Sequence, residues 1–260
     1  MPPGLELTRF RPHLLIALAL ALSFAVASMP PISQPLAYHR FADTRNLLGV
    51  PNFWNVLSNL PFLLVGLAGL AWTLRRRAMI ERELRAAWLV LFAGVALVGL
   101  GSGWYHLGPG NASLVWDRLP MTLAFMAFFA IILGEHVQLR LARLALWPLL
   151  VAGVASVLYW RASDDLRPYA LVQFLPVLLI PLLLVLYPRR GSGAVWLALG
   201  CYVLAKLLEH FDAQIHAALG QAISGHSLKH VAAAAGMWAL LVGLKARHSA
   251  DVQPGAPVSG

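Results

Sequence analysis

The fold is decided by Gly101-Ser102-Gly103-Trp104-Tyr105-His106 and by Asp117-Arg118-Leu119-Pro120-Met121, which begins eleven residues after the histidine. Both stretches place polar side chains at the ends of runs that are otherwise apolar. Ser102 and His106 are four residues apart, so a helix presents them on one face. Because ionisable groups within membrane spans are costly and are usually retained for function, we expect a buried polar site here.

The composition indicates a polytopic membrane protein. Of the 260 residues, 59% are hydrophobic and 12% are charged, whereas a soluble domain has about 25% charged residues. The net charge of +9 does not indicate nucleic-acid binding, because no basic stretch interleaved with aromatics lies outside the apolar runs; excess Lys and Arg in a membrane protein instead reports its orientation. The single cysteine, Cys201, excludes an internal disulfide and a cysteine-based zinc site, so a metal would be held by His and carboxylates.

The apolar runs predict an all-α membrane bundle with a seven-helix core and one extra N-terminal helix. The extra run, His13 to Met29, contains Ala25-Val26-Ala27, which resembles a signal-peptidase site; we favour an uncleaved span over a cleaved signal. We divide the chain into an N-terminal apolar segment (1–30), a seven-helix domain (31–248) and a disordered tail (249–260). Runs near the roughly 20 residues that cross a bilayer lie at about 53–74, 86–106, 117–134, 144–160, 168–187, 194–211 and 226–244.

The distribution of Lys and Arg predicts the orientation. Thirteen fall on one side of the predicted bundle and seven on the other, so the first side is cytoplasmic by the positive-inside rule. Both termini are then cytoplasmic, and His106, Asp117 and His226 share the opposite face. The cytoplasmic set is Arg9, Arg11, Arg75, Arg76, Arg77, Arg82, Arg85, Arg140, Arg143, Arg189, Arg190, Lys245 and Arg247.

Three histidines are candidate metal ligands. His226 and His230 begin the last apolar run at a spacing that lets a helix present both to one ion. His106 lies on the same predicted membrane face, which residues of one site must share. A helix-end histidine often only bonds a carbonyl or a headgroup, so this alternative stays open for each of them.

The other polar residues within or beside the spans each have a structural alternative. Asp117 either takes part in chemistry, caps its helix or pairs with Arg118. Ser102 either serves the site or is a small residue that permits close packing, and Ser58 and Asn59 either support the site or bond between helices.

A further polar group lies on the helix before the histidine pair. Lys206, Glu209 and Asp212 recur at i, i+3 and i+6. This spacing favours an internal ion pair, with support of the site as the alternative.

Together these residues resemble the motifs of the alkaline ceramidases, within the CREST superfamily of seven-helix membrane hydrolases. The similar stretches are Phe53-Trp54-Asn55-Val56-Leu57-Ser58-Asn59, Gly99-Leu100-Gly101-Ser102-Gly103-Trp104-Tyr105-His106, Asp117-Arg118-Leu119-Pro120-Met121 and His226-x-x-x-His230. The resemblance spans roughly residues 43–244, and the order and spacing of the motifs make it specific.

The resemblance implies a zinc-dependent intramembrane hydrolase that cleaves the amide of ceramide-like lipids, releasing a fatty acid and a sphingoid-type base. It implies His106, His226 and His230 as zinc ligands, with Asp117 and Ser102 as catalytic residues. The expected partner is a lipid substrate from the bilayer; the sequence indicates neither nucleic acid nor a protein partner.

The sequence departs from the family pattern at three places. The acidic residue after the motif aspartate is Arg118 here, and the aromatic before the last histidine is Lys229. Eukaryotic relatives have an acidic calcium site before the first core helix. In this chain Asp43, Asn46 and Asn52 provide only one carboxylate, which argues against Ca²⁺.

Two other classes of protein remain as alternatives. One is a receptor of the same superfamily, similar to the progestin and adiponectin receptors, with a structural zinc. The other is a transporter or haem-binding membrane protein, whose histidines would ligate haem axially. The haem alternative leaves Asp117 and Ser102 without a role.

Overall fold

The computed structural model describes residues 4–250, with side chains from residue 10 to residue 247. Over these residues the chain is built from helices without a β-strand. Eight segments are long and apolar enough to cross a bilayer, which confirms the predicted all-α membrane bundle. The helices are α1 (Gly4–Ala27), α2 (Phe53–Leu57), α3 (Leu60–Arg75), α4 (Arg82–Leu107), α5 (Asn111–Ile132), α6 (Leu139–Ser163), α7 (Arg167–Leu186), α8 (Gly193–His210), α9 (Asp212–Ala218) and α10 (Gly225–Ala250).

The first core span is interrupted where one continuous helix was predicted. It consists of the short α2 and the longer α3, separated at Ser58 and Asn59. Pro61 lies in the first turn of α3, the only part of a helix where its missing N–H costs no hydrogen bond. The side chains of the junction bond back to the Asn55 carbonyl, from Ser58 Oγ at 3.2 Å and from Asn59 Nδ2 at 2.7 Å. These bonds replace part of the lost backbone pairing and leave polar groups at the interruption.

The helix that contains the motif aspartate begins earlier than predicted. We expected it to start at Asp117, but α5 begins at Asn111 and contains Pro120 in its interior. The residues before Asp117 have no helix breaker after Gly110, so the helix extends through them. Asp117 therefore lies in the second turn, and the interpretation of this residue as a helix cap is wrong.

The segment between α1 and α2, residues 28–52, covers one end of the bundle; we call it the cover segment. Its Gln34 backbone N–H donates to Asp164 Oδ1 at 3.2 Å, and its His39 ring bonds the Tyr105 hydroxyl at 2.8 Å. It also contacts α4 through Asn52, whose side chain donates to the His106 carbonyl at 2.9 Å. The cover segment thus connects helix ends that are far apart in sequence.

The core is a continuous apolar layer between α3, α4, α5, α7 and α10. Trp88, Leu91 and Phe92 of α4 lie at its centre and are almost fully buried. α1 packs on the outside, mainly along α7. The last helix continues through Ala250, so its end includes the first two residues of the predicted tail. Residues 251–260 of that tail lie outside the described part of the chain.

Candidate metal centre and lipid cavity

Three histidines from two helices converge under the cover segment. His106 comes from the last turn of α4, and His226 and His230 come from the first turns of α10. One ring nitrogen of each lies within 4.8 Å of the others, and the three ring centroids are each 5.0 Å apart. All three side chains are buried. The structure therefore brings together the three residues that the sequence singled out as candidate ligands.

The hydrogen bonding of these histidines fits a metal ion. Both ring nitrogens of His106 and the Nε2 of His226 are buried and have no partner among the described residues. An unpartnered buried polar atom is costly, and one shared metal ion would account for one nitrogen of His106 and for Nε2 of His226. His230 differs, because its Nδ1 bonds Ser58 Oγ at 2.8 Å, which leaves Nε2 for a metal. Three imidazoles without cysteine are a donor set that suits Zn²⁺.

Asp212 and Phe41 hold the histidines in place; the sequence offered support of the site by Asp212 as an alternative and did not single out Phe41. Asp212 accepts a hydrogen bond from the His226 backbone N–H at 2.7 Å and another from the Ala42 N–H at 2.9 Å. Phe41 covers two of the rings, with centroids 4.7 Å from His106 and 4.5 Å from His226. The Phe41 contacts and the Ala42 bond to Asp212 come from the cover segment, for which no spacing rule in the sequence gives a position.

The polar group predicted on one helix spans the end of α8 and the start of α9, and its members have two different roles. Lys206 and Glu209 form the expected ion pair at 2.6 Å, and Lys229 of α10 joins it at 2.5 Å from Glu209. Asp212 is not part of this ion pair, because its carboxylate caps the start of α10 and binds the cover segment.

The interruption between α2 and α3 supports the centre from a third side. Asn55 accepts a hydrogen bond from Ser227 Oγ at 2.8 Å and donates one to the Asp43 carbonyl at 3.0 Å. Ser58 contacts His230 directly, whereas Asn59 reaches the Asn55 carbonyl. Asn55 lies in the Phe53–Asn59 motif, one helical turn before Ser58. This spacing is the sequence signal that could have predicted its place in the site.

A cavity of about 370 Å³ extends from this centre into the bundle. Ser102, Asp117 and His230 line its polar end, and the Ser102 hydroxyl lies within hydrogen-bonding reach of the Asp117 carboxylate. Most of the remaining lining is apolar, including Leu91, Val95, Phe128, Ile180 and Met237. No ion pair joins Asp117 to Arg118 in the described residues, so the pairing alternative for this aspartate is not observed. The shape suits a molecule with one polar end and a long apolar chain.

Comparison with known proteins identifies the family. The sequence model of the ceramidase family matches residues 49–190, more than half of the chain. The chain belongs to the ceramidase family. Membership implies a hydrolase that acts on the amide of ceramide. The matched range contains Ser102, His106 and Asp117 and ends before His226 and His230. A search among curated proteins finds no match.

In this ceramidase-family protein the proposed calcium donors do not fit a calcium ion. Both carboxylate oxygens of Asp43 are bound by Arg45, at 2.9 Å from Nε and 2.5 Å from Nη2. These hydrogen bonds hold the pKa of Asp43 below its usual value. Asn46 is exposed, and the side-chain amide of Asn52 donates a hydrogen bond to the His106 carbonyl. Ca²⁺ takes six to eight oxygen ligands, whereas this set provides one carboxylate that a guanidinium already neutralises.

Proposed function

We propose that the chain is a zinc-dependent intramembrane hydrolase that cleaves the amide bond of ceramide-like lipids. The products would be a fatty acid and a sphingoid-type base. His106, His226 and His230 would hold the metal, Asp117 would transfer protons, and Ser102 would stabilise the oxyanion. The family supports amide hydrolysis over the receptor-like alternative with a structural zinc.

The observation that supports this proposal most directly is the position of the histidine cluster. His230 of the cluster lines a mostly apolar cavity, together with a carboxylate and a hydroxyl that are not among the clustered ligand atoms. A structural zinc needs only a closed ligand shell, whereas a catalytic site also needs an open position and a proton-transfer group beside it. This chain provides three histidines and a separate aspartate.

Asp117 provides the proton-transfer group. When bound, Zn²⁺ supplies Lewis acidity, polarising a carbonyl and lowering the pKa of water to about 7. Asp117 accepts a proton on its carboxylate as water adds to the amide carbon. It returns that proton to the amide nitrogen as the carbon–nitrogen bond breaks, so the amine leaves neutral. The carboxylate is regenerated at the end of the cycle.

Ser102 provides a movable hydrogen-bond donor. Its hydroxyl has one proton and lies within reach of Asp117. When Asp117 becomes protonated it no longer competes for that donor, and the Ser102 hydroxyl turns to the oxyanion that develops on the substrate. Ser102 therefore donates to the substrate oxygen at the stage of the reaction when negative charge develops on it.

The location of the site in the membrane follows from the same proposal. Both termini would be cytoplasmic and the histidine centre would face the opposite side, with residues 31–248 as the seven-helix catalytic domain. A long-chain substrate would enter from the bilayer, so that only its amide has to reach the polar end. Inside the cavity, apolar side chains would then surround the acyl chain of the substrate in place of the lipid tails of the bilayer.

The metal centre and the activity are tested together. Purified protein should contain about one zinc per chain and release fatty acid from a ceramide. The double variant His226→Ala/His230→Ala should lose the metal and the activity. His136→Ala is the matched control, since this buried histidine bonds the Tyr187 carbonyl at 2.8 Å at the other end of the bundle. Full zinc retention in the double variant would exclude the site, and a zinc-loaded wild type that hydrolyses no lipid amide would favour the receptor-like function.

A further inference from the structure

Arg118 is a buried arginine that has no carboxylate partner. Its side chain is 5% exposed, and none of the described residues forms an ion pair with it. Four other arginine or lysine residues near this end of the bundle do have such partners: Arg45, Arg167, Lys206 and Lys229. A buried charge without a counter-ion is among the most costly features that a protein can keep.

Aromatic rings and one amide hold the guanidinium in place. Its central carbon lies 4.1 Å from the Trp160 ring centroid, 4.6 Å from Tyr169 and 5.7 Å from Tyr38. Its Nη2 donates to Gln34 Oε1 at 2.6 Å. Such rings attract a cation through their electron-rich faces and leave its charge uncancelled. These three rings, which we call the aromatic cage, therefore orient the guanidinium without cancelling its charge.

One donor group of Arg118 is unused. Nη1 is buried and has no hydrogen-bond partner among the described residues, while Nη2 is taken by Gln34. A guanidinium matches carboxylate and phosphate oxygens with parallel N–H donors, and it does so best when water is excluded. A preoriented cation with a free donor is therefore suited to bind an anion.

The position of Arg118 shows where that anion would come from. Arg118 lines the same cavity as Asp117, Ser102 and His230. Before hydrolysis the acyl side of a lipid amide carries no charge, so an anionic group of the substrate would lie on its amine side.

The charge of the cavity favours the same ligand. Its charged lining residues are three cations and two carboxylates, and Glu209 is shared between Lys206 and Lys229. These charges sum to +1, and Arg118 is the cation that forms no ion pair with either carboxylate among the described residues. A ligand with one negative charge would complete the balance.

We propose that Arg118 is a specificity-determining residue that selects lipid amides with an anionic group on the amine-side headgroup. A phosphate, a sulfate or a carboxylate would serve, since each presents oxygens to the guanidinium. The proposal rests on the proposed amide hydrolysis and names its substrate class. A neutral ceramide would leave the buried charge unpaired and would be the poorer substrate.

The kinetic test compares matched substrates. The substrates are an N-acyl sphingoid base with a free primary hydroxyl, its phosphate ester, its sulfate ester and an N-acyl amino acid. Wild type should favour at least one anionic substrate over the neutral one in kcat/KM. Arg118→Gln should lower this ratio about 10–100-fold, the usual value of a charged hydrogen bond. Arg118→Lys should give an intermediate ratio, because lysine keeps the positive charge but cannot donate two parallel N–H bonds to one anion.

The control variant is Arg161→Gln, an exposed arginine near the same end of the bundle, and it should keep the wild-type ratio. If Arg118 serves only to hold Gln34, Arg118→Gln will lower the melting temperature and leave the substrate ratio unchanged. That result, or a wild type that prefers the neutral lipid, overturns the proposal.

A binding measurement separates this proposal from the proposed hydrolysis. Dodecyl phosphate should raise the melting temperature of the detergent-solubilised wild type more than dodecanol does, and Arg118→Gln should remove the difference. If the difference is present but no lipid amide is cleaved, the anion site stands and the hydrolase function fails. If Arg118→Gln shows the same excess shift as wild type, the anion site is excluded even where hydrolysis is observed.

Discussion

At the scale of single residues, Asp117 is the group whose replacement best tests the mechanism. Asp117→Asn keeps the size of the side chain and removes the carboxylate that we propose accepts the proton. We expect fatty-acid release to fall about 10²–10⁴-fold while the zinc content stays at the wild-type level, because the proposed metal ligands are the three histidines. The measurement is the initial rate of hydrolysis with zinc determined on the same sample.

The control for this variant is Glu81→Gln, which removes an exposed carboxylate at the opposite end of the bundle. It should retain full activity. An Asp117→Asn protein as active as wild type would show that another group moves the proton.

Ser102 is tested in the same assay but with a different expectation. Removing one oxyanion donor costs about 10²–10³-fold in rate, so Ser102→Ala should lose up to this factor in kcat with little change in zinc content. Ser163→Ala serves as the control; this exposed serine at the end of α6 donates to the Tyr159 carbonyl. A loss confined to KM would mean that Ser102 positions substrate in the ground state only.

At the scale of helices, the close contact between α4 and α5 depends on Gly101 and Pro120. Pro120 has no N–H, so the Trp116 carbonyl one turn earlier lacks its helical partner. A Cβ built on Gly101 would lie 2.0 Å from that carbonyl oxygen. Only glycine at this position lets the two helices approach closely enough to place Ser102 beside Asp117.

The corresponding prediction compares two glycines on one helix. Gly101→Ala should destabilise the protein by about 1–3 kcal/mol or displace α5, and activity should fall with it. Gly103→Ala should be neutral or slightly stabilising, since a Cβ there meets nothing within 4 Å and alanine favours a helix. Thermal unfolding in detergent measures both. Equal melting temperatures for the two variants would contradict the close-contact argument.

A second prediction at this scale concerns the turn between α6 and α7. Asp165 accepts hydrogen bonds from Arg167 at 2.8–3.0 Å, and Arg167 in turn donates to the Ala27 carbonyl at the end of α1. The Arg167 guanidinium lowers the pKa of Asp165 to about 2 from an ordinary value of 3.8. A carboxyl with a depressed folded pKa stabilises the fold above its unfolded pKa and loses that contribution as the pH falls through the folded one.

Asp165→Asn should therefore melt below wild type at pH 6. The difference in melting temperature between the two proteins should narrow as the pH falls from about 4 towards 2, because the Asp165 carboxylate of wild type becomes protonated there. The measurement is the melting temperature of both proteins across this range. A gap that does not change with pH would show that the charge of Asp165 is not what stabilises the turn.

At the scale of the whole molecule, the orientation in the membrane can be tested directly. The charge asymmetry predicts that the loop between α3 and α4 is cytoplasmic and that the start of α5 is not. In a Cys201→Ser background, an impermeant thiol reagent should label Ala112→Cys in intact cells and should reach Ala78→Cys only after lysis. Both positions are exposed. The reverse pattern would place the histidine centre on the cytoplasmic side.

The sequence by itself determined the membrane class, the eight spans and the three histidines, because each depends on short-range pattern. A span needs about 20 apolar residues, and His226 and His230 need only a spacing of four on one helix. The helix starts were less accurate, as for α5, because polar residues in the headgroup region continue a helix when no breaker is present.

Only the tertiary structure decided what surrounds the histidines. Ala42 donates to Asp212, Phe41 covers two imidazoles, and Gln34 binds Arg118. In each case the cover segment contacts a residue more than 60 positions away. The sequence presented Arg118 as a departure from a motif, and its aromatic cage appears only when α5, α6 and α7 are packed together. Such contacts have no period along the chain, because loop positions follow from where the helix ends meet rather than from local propensity.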